Sequence, residues 1–363
     1  TGNTVFNNKW NESSDFEEHL KDGTRHAKTA RFVVGTSTAG WTSADCDYLC
    51  DGTGDQAEII AAITALPSAG GEIVILDGTY NITAKINVTK SNVSIRGNGN
   101  ATILKRGWNS VSTEGVITLT DVEGCKIENL QIDGNKAVYT SNSNYGILLY
   151  SSSNENTVIG NTCNNSSYGI YLDSSSNNTV TGNTCNNNSN GYGICLTSSN
   201  NNTITGNTCN NNNSGICLYS SSNNNTVTGN TCNNNNNYGI FLMNSSINNT
   251  VTGNTCNNNG YGIYLNSSSN NNTVTGNTCN NNSNGIYLSS YSNNNTVTGN
   301  TCIRGTGTPG DYTTGQHTII LSGTSNNYNL ISSNNCMGKA VVVEGGTGNS
   351  AWGNKFDNTD DLP

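Results

Sequence analysis

The chain has 363 residues, 11% charged and 32% hydrophobic, with 71 Asn and 41 Gly against 3 Pro and 2 Met. An ordinary domain is about 25% charged and 45–50% apolar, so this is neither an average enzyme domain nor a coiled coil. A formal charge of −9 is too slight for disorder by repulsion, its acidic sign argues against a nucleic-acid partner, and without a run of 18 apolar residues no membrane insertion is expected.

The chain opens with TGNTVFNNKW, which is not a signal peptide; beginning at Thr, it reads as a processed or excised piece of something longer. Residues 1–30 are charged, and Ser14-Asp15-Phe16-Glu17 has the pattern of a capping box opening a short helix that Gly23 ends, an attachment or stalk segment. Residues 31–139 hold a first strand at Arg31–Gly35, then a helix. Asp55 through Glu58 is a capping box, Ile59, Ile60, Ile63 and Leu66 form one apolar face, and Pro67 stops it. Irregular coils follow, with strands expected at Glu72–Leu76, Ile82–Val88, Val93–Arg96, Thr102–Lys105 and Val116–Leu119. Cys125 and Ile127–Ile132 already resemble what comes next.

Residues 140–302 are a repeat. Aligning on Gly-Asn-Thr-Cys places Cys163, Cys185, Cys209, Cys232, Cys256, Cys279 and Cys302 at intervals of 22, 24, 23, 24, 23 and 23. Between them run an Asn-rich stretch, Gly-Ile-x-Leu, a Ser/Asn stretch and Asn-Thr-Val-Thr-Gly-Asn. The segments are too short for helices, alternate with period two, and are joined by Asn and Gly, which tolerate left-handed corners. Three strands per coil of about 23 residues, stacked about 4.8 Å apart, describe an all-β single-stranded parallel β-helix, and the amphipathic helix covers its open N-terminal end. Ile170 and Leu172, Val180 and the seven cysteines, with their equivalents in each coil, form inward columns, and corner asparagines form amide ladders. Residues 303–363 contain a loop inserted at Gly305–Gly315, last coils with Val341 and Val343, and a polar tail. That end lacks a cap of its own and is expected to be covered by another domain or subunit.

Residues 51–82, DGTGDQAEIIAAITALPSAGGEIVILDGTYNI, resemble the opening of the pectate-lyase-like right-handed β-helix superfamily: an Asp-Gly-Thr turn, a capping helix and a Gly-Gly-strand-Gly-Thr-Tyr segment. The repeats resemble the PbH1-type coils of the family named for the periplasmic copper-processing protein NosD. The whole arrangement is similar to tail fibre and tailspike β-helix proteins of prophages. That resemblance implies right-handed winding, a virion or extracellular location, contact with other virion tail proteins and trimeric assembly.

Polysaccharide cleavage needs paired carboxylates, or a base with a neutralising charge. Between Asp173 and Arg304 lie 130 residues without one Asp, Glu, Lys, Arg or His. Glu128 and Asp133, five apart near a strand end, are the candidate catalytic pair, with solvated coil-edge charges as the plainer reading. His19, His26 and His317 are far apart, so neither a metal nor another cofactor is expected. Thirteen cysteines invite disulfides, but seven recur at one position, where Cβ atoms about 4.8 Å apart exceed the roughly 3.5–4.5 Å of a relaxed bridge. A ladder of buried thiols follows; a soft-metal column has no supporting spacing, and Cys46 with Cys50 is the pair most able to close locally. Many free thiols suit assembly in a reducing cytoplasm and release by lysis.

In Gly-Ile-x-Leu the middle residue points outward: Leu148, Tyr171, Cys195, Cys217, Phe241, Tyr264, Tyr287 and Ile320. Such a stripe reads as a subunit interface, as a glycan-stacking surface on Tyr171, Phe241, Tyr264 and Tyr287, or as a ladder packed on itself. Thr179 with Thr181 and its repeats resemble the Thr-x-Thr face of ice-binding β-helices, or are simply solvent-facing strand residues. The sequence thus points to a non-catalytic tail fibre or tailspike module that is structural and binds host glycan. The alternatives are a polysaccharide-degrading tailspike, a cell-surface scaffold and an ice-binding protein.

Overall fold

The computed structural model describes residues 30–188 and 191–356. The expected helix at Ser14–Glu17, with the rest of the lead segment up to residue 29, and the tail from 357 onward lie outside the described residues. The chain winds as a right-handed parallel β-helix. Each regular coil contributes Thr-x-Thr to one long sheet, from Thr179–Thr181 through Thr296–Thr298, and Gly-Ile-x-Leu to a second, from Asn144–Tyr150 through Asn284–Leu288. Neighbouring strands are parallel and in register, so Val158, Val180, Ile204, Val227, Val251, Val274 and Val297 form one column. Ile147, Ile170, Ile194, Ile216, Ile240, Ile263 and Ile286 form another. Both columns are fully buried, in one core that runs from Val34 to Cys336.

The third strand is shorter than the period suggests. After Thr162–Asn164 it shrinks to single bridging residues, Thr184, Thr208, Thr231, Thr255, Thr278 and Thr301. Each of these threonines follows an asparagine that turns inward. Asn161, Asn183, Asn207, Asn230, Asn254, Asn277 and Asn300 are buried, and the backbone N–H of each donates to the Oδ1 of the next at 2.9 Å. A second file, Asn156 through Asn295, repeats this at 2.8 Å. A third, Asn188 through Asn282, does so at 2.7–2.9 Å. Corners thereby bury polar backbone at little cost, because the backbone N–H at each step of these files meets a fixed amide oxygen.

In the irregular N-terminal coils, Val93–Arg96 and Thr102–Lys105 merge into one strand, Val93–Arg106, with register breaks around Gly99. The expected strand Ile82–Val88 divides into Gly78–Ile82 and Ile86–Val88, and Tyr48–Cys50 is an additional short strand. The capping helix spans Gln56–Ala65 and buries Ile59, Ala62 and Ile63 over the open core. Its capping box does not form. Asp55 instead turns its carboxylate to the backbone N–H groups of Gly52 and Asn81, at 2.8 and 2.7 Å, and so clamps the helix start to the first coils. At the helix's other end Lys90 Nζ donates to the carbonyls of Ile63, Thr64 and Leu66, a cation on the negative end of the dipole. At the last coil Val343 and Trp352 are exposed.

Candidate functional site

The second sheet carries two outward files of side chains. The expected one is only partly accessible: Leu148, Cys195, Cys217, Phe241 and Ile320 are buried, and Tyr171, Tyr264 and Tyr287 are half-buried. What covers several of them is a neighbouring file, Tyr145, Tyr168, Tyr192, Tyr238 and Tyr261, whose members are register partners across Ser214. Tyr238 stacks on Phe241 with centroids 4.3 Å apart, and Tyr261 on Tyr264 at 5.1 Å. Tyr168 meets Tyr145, Tyr192 and Tyr171 at 4.9, 5.1 and 5.2 Å. A satellite apolar cluster of Cys195, Cys217 and Phe241 is sealed beneath these rings. The stripe is therefore a double aromatic band, half exposed along its outer surface, and Phe241 is not an accessible binding ring.

Period-two alternation misplaces the tyrosine file because it puts Tyr168 on the same side as Ile170. The repeated glycine breaks the alternation. Gly169, Gly193, Gly215, Gly239, Gly262 and Gly285 lie against the core cysteines, where an added Cβ would come within 2.7–2.9 Å of the cysteine Cβ one coil on. Glycine and isoleucine thus both face inward, and the residue before the glycine faces outward. The glycine's repetition beside a tyrosine was the one available signal.

Burial pushes the phenols of Tyr168, Tyr171, Tyr192, Tyr238 and Tyr264 above their ordinary value, so they are neutral donors at physiological pH. Asp173, at the end of the strand Tyr168–Asp173, is the last carboxylate before the uncharged coils and accepts a hydrogen bond from Ser174 Oγ at 3.0 Å. Glu128 and Asp133 are not brought together. Asn129, in the left-handed region, turns the chain between them. Glu128 pairs with Lys126 at 2.7 Å and shares a ladder with Ile159, whereas Asp133 shares one with Asn164 and accepts from Asn135 N and Asn165 Nδ2. A cleft of about 430 Å³ lies beside Asp133, lined also by Asn135, Lys136, Ala137, Asn165 and Asn187.

The threonines form two half-exposed files, Thr179 through Thr296 and Thr181 through Thr298. All thirteen cysteines are free, Cys46 and Cys50 included. Cys163, Cys185, Cys209, Cys232, Cys256, Cys279 and Cys302 are buried in the core. Burial, with a cysteine of an adjoining coil beside each, pushes the thiols of Cys163, Cys209, Cys256 and Cys302 well up. Among the described residues, Cys50, Asp55 and Glu58 lie close enough together to share an ion.

The chain matches the family described as "Periplasmic copper-binding protein (NosD)" over residues 68–258, 128–318 and 222–362, overlapping as a repeat does. None of the curated proteins matches it. Among solved structures, the A-module of the mannuronan C-5 epimerase AlgE4 from Azotobacter vinelandii is 16% identical, with a TM-score of 0.69 over 89% of this chain and 97% of that one. The Dettilon tailspike protein (gp208) is 19% identical, with a TM-score of 0.62 over 81% and 66%. ORF18 of Geobacillus virus E2 is 17% identical, with a TM-score of 0.53 over 90% and 60%. These likenesses show a shared fold. The copper in the family's description finds no fitting donors in the Cys50 cluster. Both Asp55 carboxylate oxygens are taken by backbone N–H groups, and the Cys50 thiol donates to the Asp55 carbonyl and is pushed far up by burial. Copper would need that thiolate free.

Proposed function

The chain belongs to the NosD family of parallel β-helix proteins, and from that premise we propose that it is a non-catalytic, rod-like module of a phage tail fibre or tailspike that binds host-surface glycan. The half-exposed tyrosine band over uncharged coils carries this reading. Flat rings with neutral hydroxyls, flanked by asparagine amides, offer apolar faces for sugar rings and both donors and acceptors for their hydroxyls. The titration of the band's phenols lies away from neutrality, and acid–base catalysis works best with groups poised near the working pH. The tailspike and viral protein of similar fold favour a place on a virion. A trimer contacting other tail proteins, in an extracellular setting, fits that place.

A second reading, a polysaccharide-degrading tailspike, is favoured by the cleft beside Asp133, a hollow that carries a carboxylate. Affinity electrophoresis of the purified chain through surface polysaccharides of candidate hosts, with polymer length measured after incubation, separates the two. Retarded protein and unchanged polymer are expected. Shortened polymer, with the activity abolished by Asp133→Asn or Glu128→Gln, would establish the second reading.

A further inference from the structure

Resting on the glycan-binding reading above, we infer that the ligand is an uncharged, hydroxyl-rich glycan chain lying along the helix axis. Two features of the band point to this. The first is electrostatic. Residues 174–303, which build most of the band, contain no charged side chain, and the chain as a whole carries −9. A uronate, sialate, sulfate or phosphate brought onto these rings would lose water without gaining a cation, the expensive way to bury a charge.

The cations at either end of the band are already engaged. Lys136 Nζ donates to Ser167 Oγ at 3.1 Å, and Arg304 Nη1 to the Asn282 carbonyl at 2.9 Å. Lys339 Nζ donates to the Gln316 carbonyl and lies 6.0 Å above the Tyr312 ring. Arg106 is buried, giving its N–H groups to Ser110 Oγ and to the Glu114 and Tyr145 carbonyls. The carboxylates Asp133 and Asp173, at the first end, would repel an anion.

The second feature is the layout of the loops. The corner between the core cysteine and the outward tyrosine is short in the regular coils but long at both ends: residues 134–143 precede the strand Asn144–Tyr150, and residues 303–316 precede His317–Leu321. Because the coils are in register, both loops leave the same corner. They bracket the six strands from Tyr168–Asp173 to Asn284–Leu288, a run of roughly 25 Å. Rings of the band stand on five of the six strands, the exception being the strand with Ser214 and Cys217, and their succession along the axis favours a polymer laid lengthwise over a compact ligand.

The test is biolayer interferometry of the full chain against immobilised neutral and anionic bacterial polysaccharides, at low and high salt. Neutral polymers are expected to bind at least about tenfold more tightly, with less than about a twofold change across the salt range, since no ion pair is there to be screened. Asn237→Lys, an exposed position at the band's edge, is expected to gain affinity for the anionic polymers by about tenfold at low salt. Preference of the unaltered chain for an anionic polymer, with binding lost at high salt, would overturn the inference and leave the glycan-binding reading intact. No gain from Asn237→Lys would also count against it, by removing the ligand from the band. If no polymer of either kind bound, both would fall.

Discussion

Asn230 shows what the composition is for. Its Nδ2 donates to the Ile204 carbonyl at 2.9 Å and to Asn254 Oδ1 at 2.9 Å, while its Oδ1 accepts from the Asn207 backbone N–H at 2.9 Å. Asn230→Ala removes all three and leaves the buried Asn207 N–H without its acceptor, so a loss of about 1–3 kcal/mol is expected in chemical denaturation. A loss below about 0.5 kcal/mol would mean that water replaces the amide. The amide ladders and the cysteine column were legible in the sequence because each depends only on period. The tyrosine file was not, because its direction depends on a steric contact between a glycine and a thiol one coil away, which no periodic rule contains. The placing of Glu128 and Asp133 was likewise not legible, because a left-handed asparagine, Asn129, turns the chain between them.

At the scale of the coil, two glycines of one repeat do different work. Gly229 has a φ of +61° with open space around it, so Gly229→Ala is expected to cost about 1 kcal/mol through backbone strain. A Cβ at Gly239 would lie 2.5 Å from the Gly262 carbonyl oxygen and 2.8 Å from the Cys256 Cβ, both rigidly held. Gly239→Ala should therefore cost about 3 kcal/mol, and equal melting temperatures for the two variants would contradict this account. In the last coils, His317 replaces the Asn284 of the coil before it. Burial, and then Lys339, lowers its pKa, while Glu344 opposes the shift. The neutral ring is thus the form the fold favours. Its contribution is complete above the unfolded value of about 6.5 and is lost as pH falls through the lowered folded value. Hydrogen exchange of residues 317–343 should accelerate below neutrality, and His317→Asn should flatten that dependence; an unchanged pH profile in the variant would assign the effect elsewhere. The capping helix was legible from its apolar spacing, but its box was not realised, because Asp55 found backbone donors on the first coils.

Across the whole molecule, coils contact only their neighbours, so one surface property is repeated lengthwise until the repeat changes. The uncharged stretch is where that regularity is strictest, and it is also where the aromatic band runs. Charge, irregular strands and long corners are confined to the ends. This division was readable from the distribution of charged residues along the sequence, whereas the shape of the band needed the register of the second sheet. The central claim is that these rings are the glycan-contacting surface. It is tested most directly by isothermal titration of a neutral host polysaccharide into the unaltered chain and into Tyr261→Asn, a change to the residue already found at Asn284 in the same file. The account predicts about tenfold weaker binding with unfolding temperature little changed; undiminished affinity in the variant would contradict it.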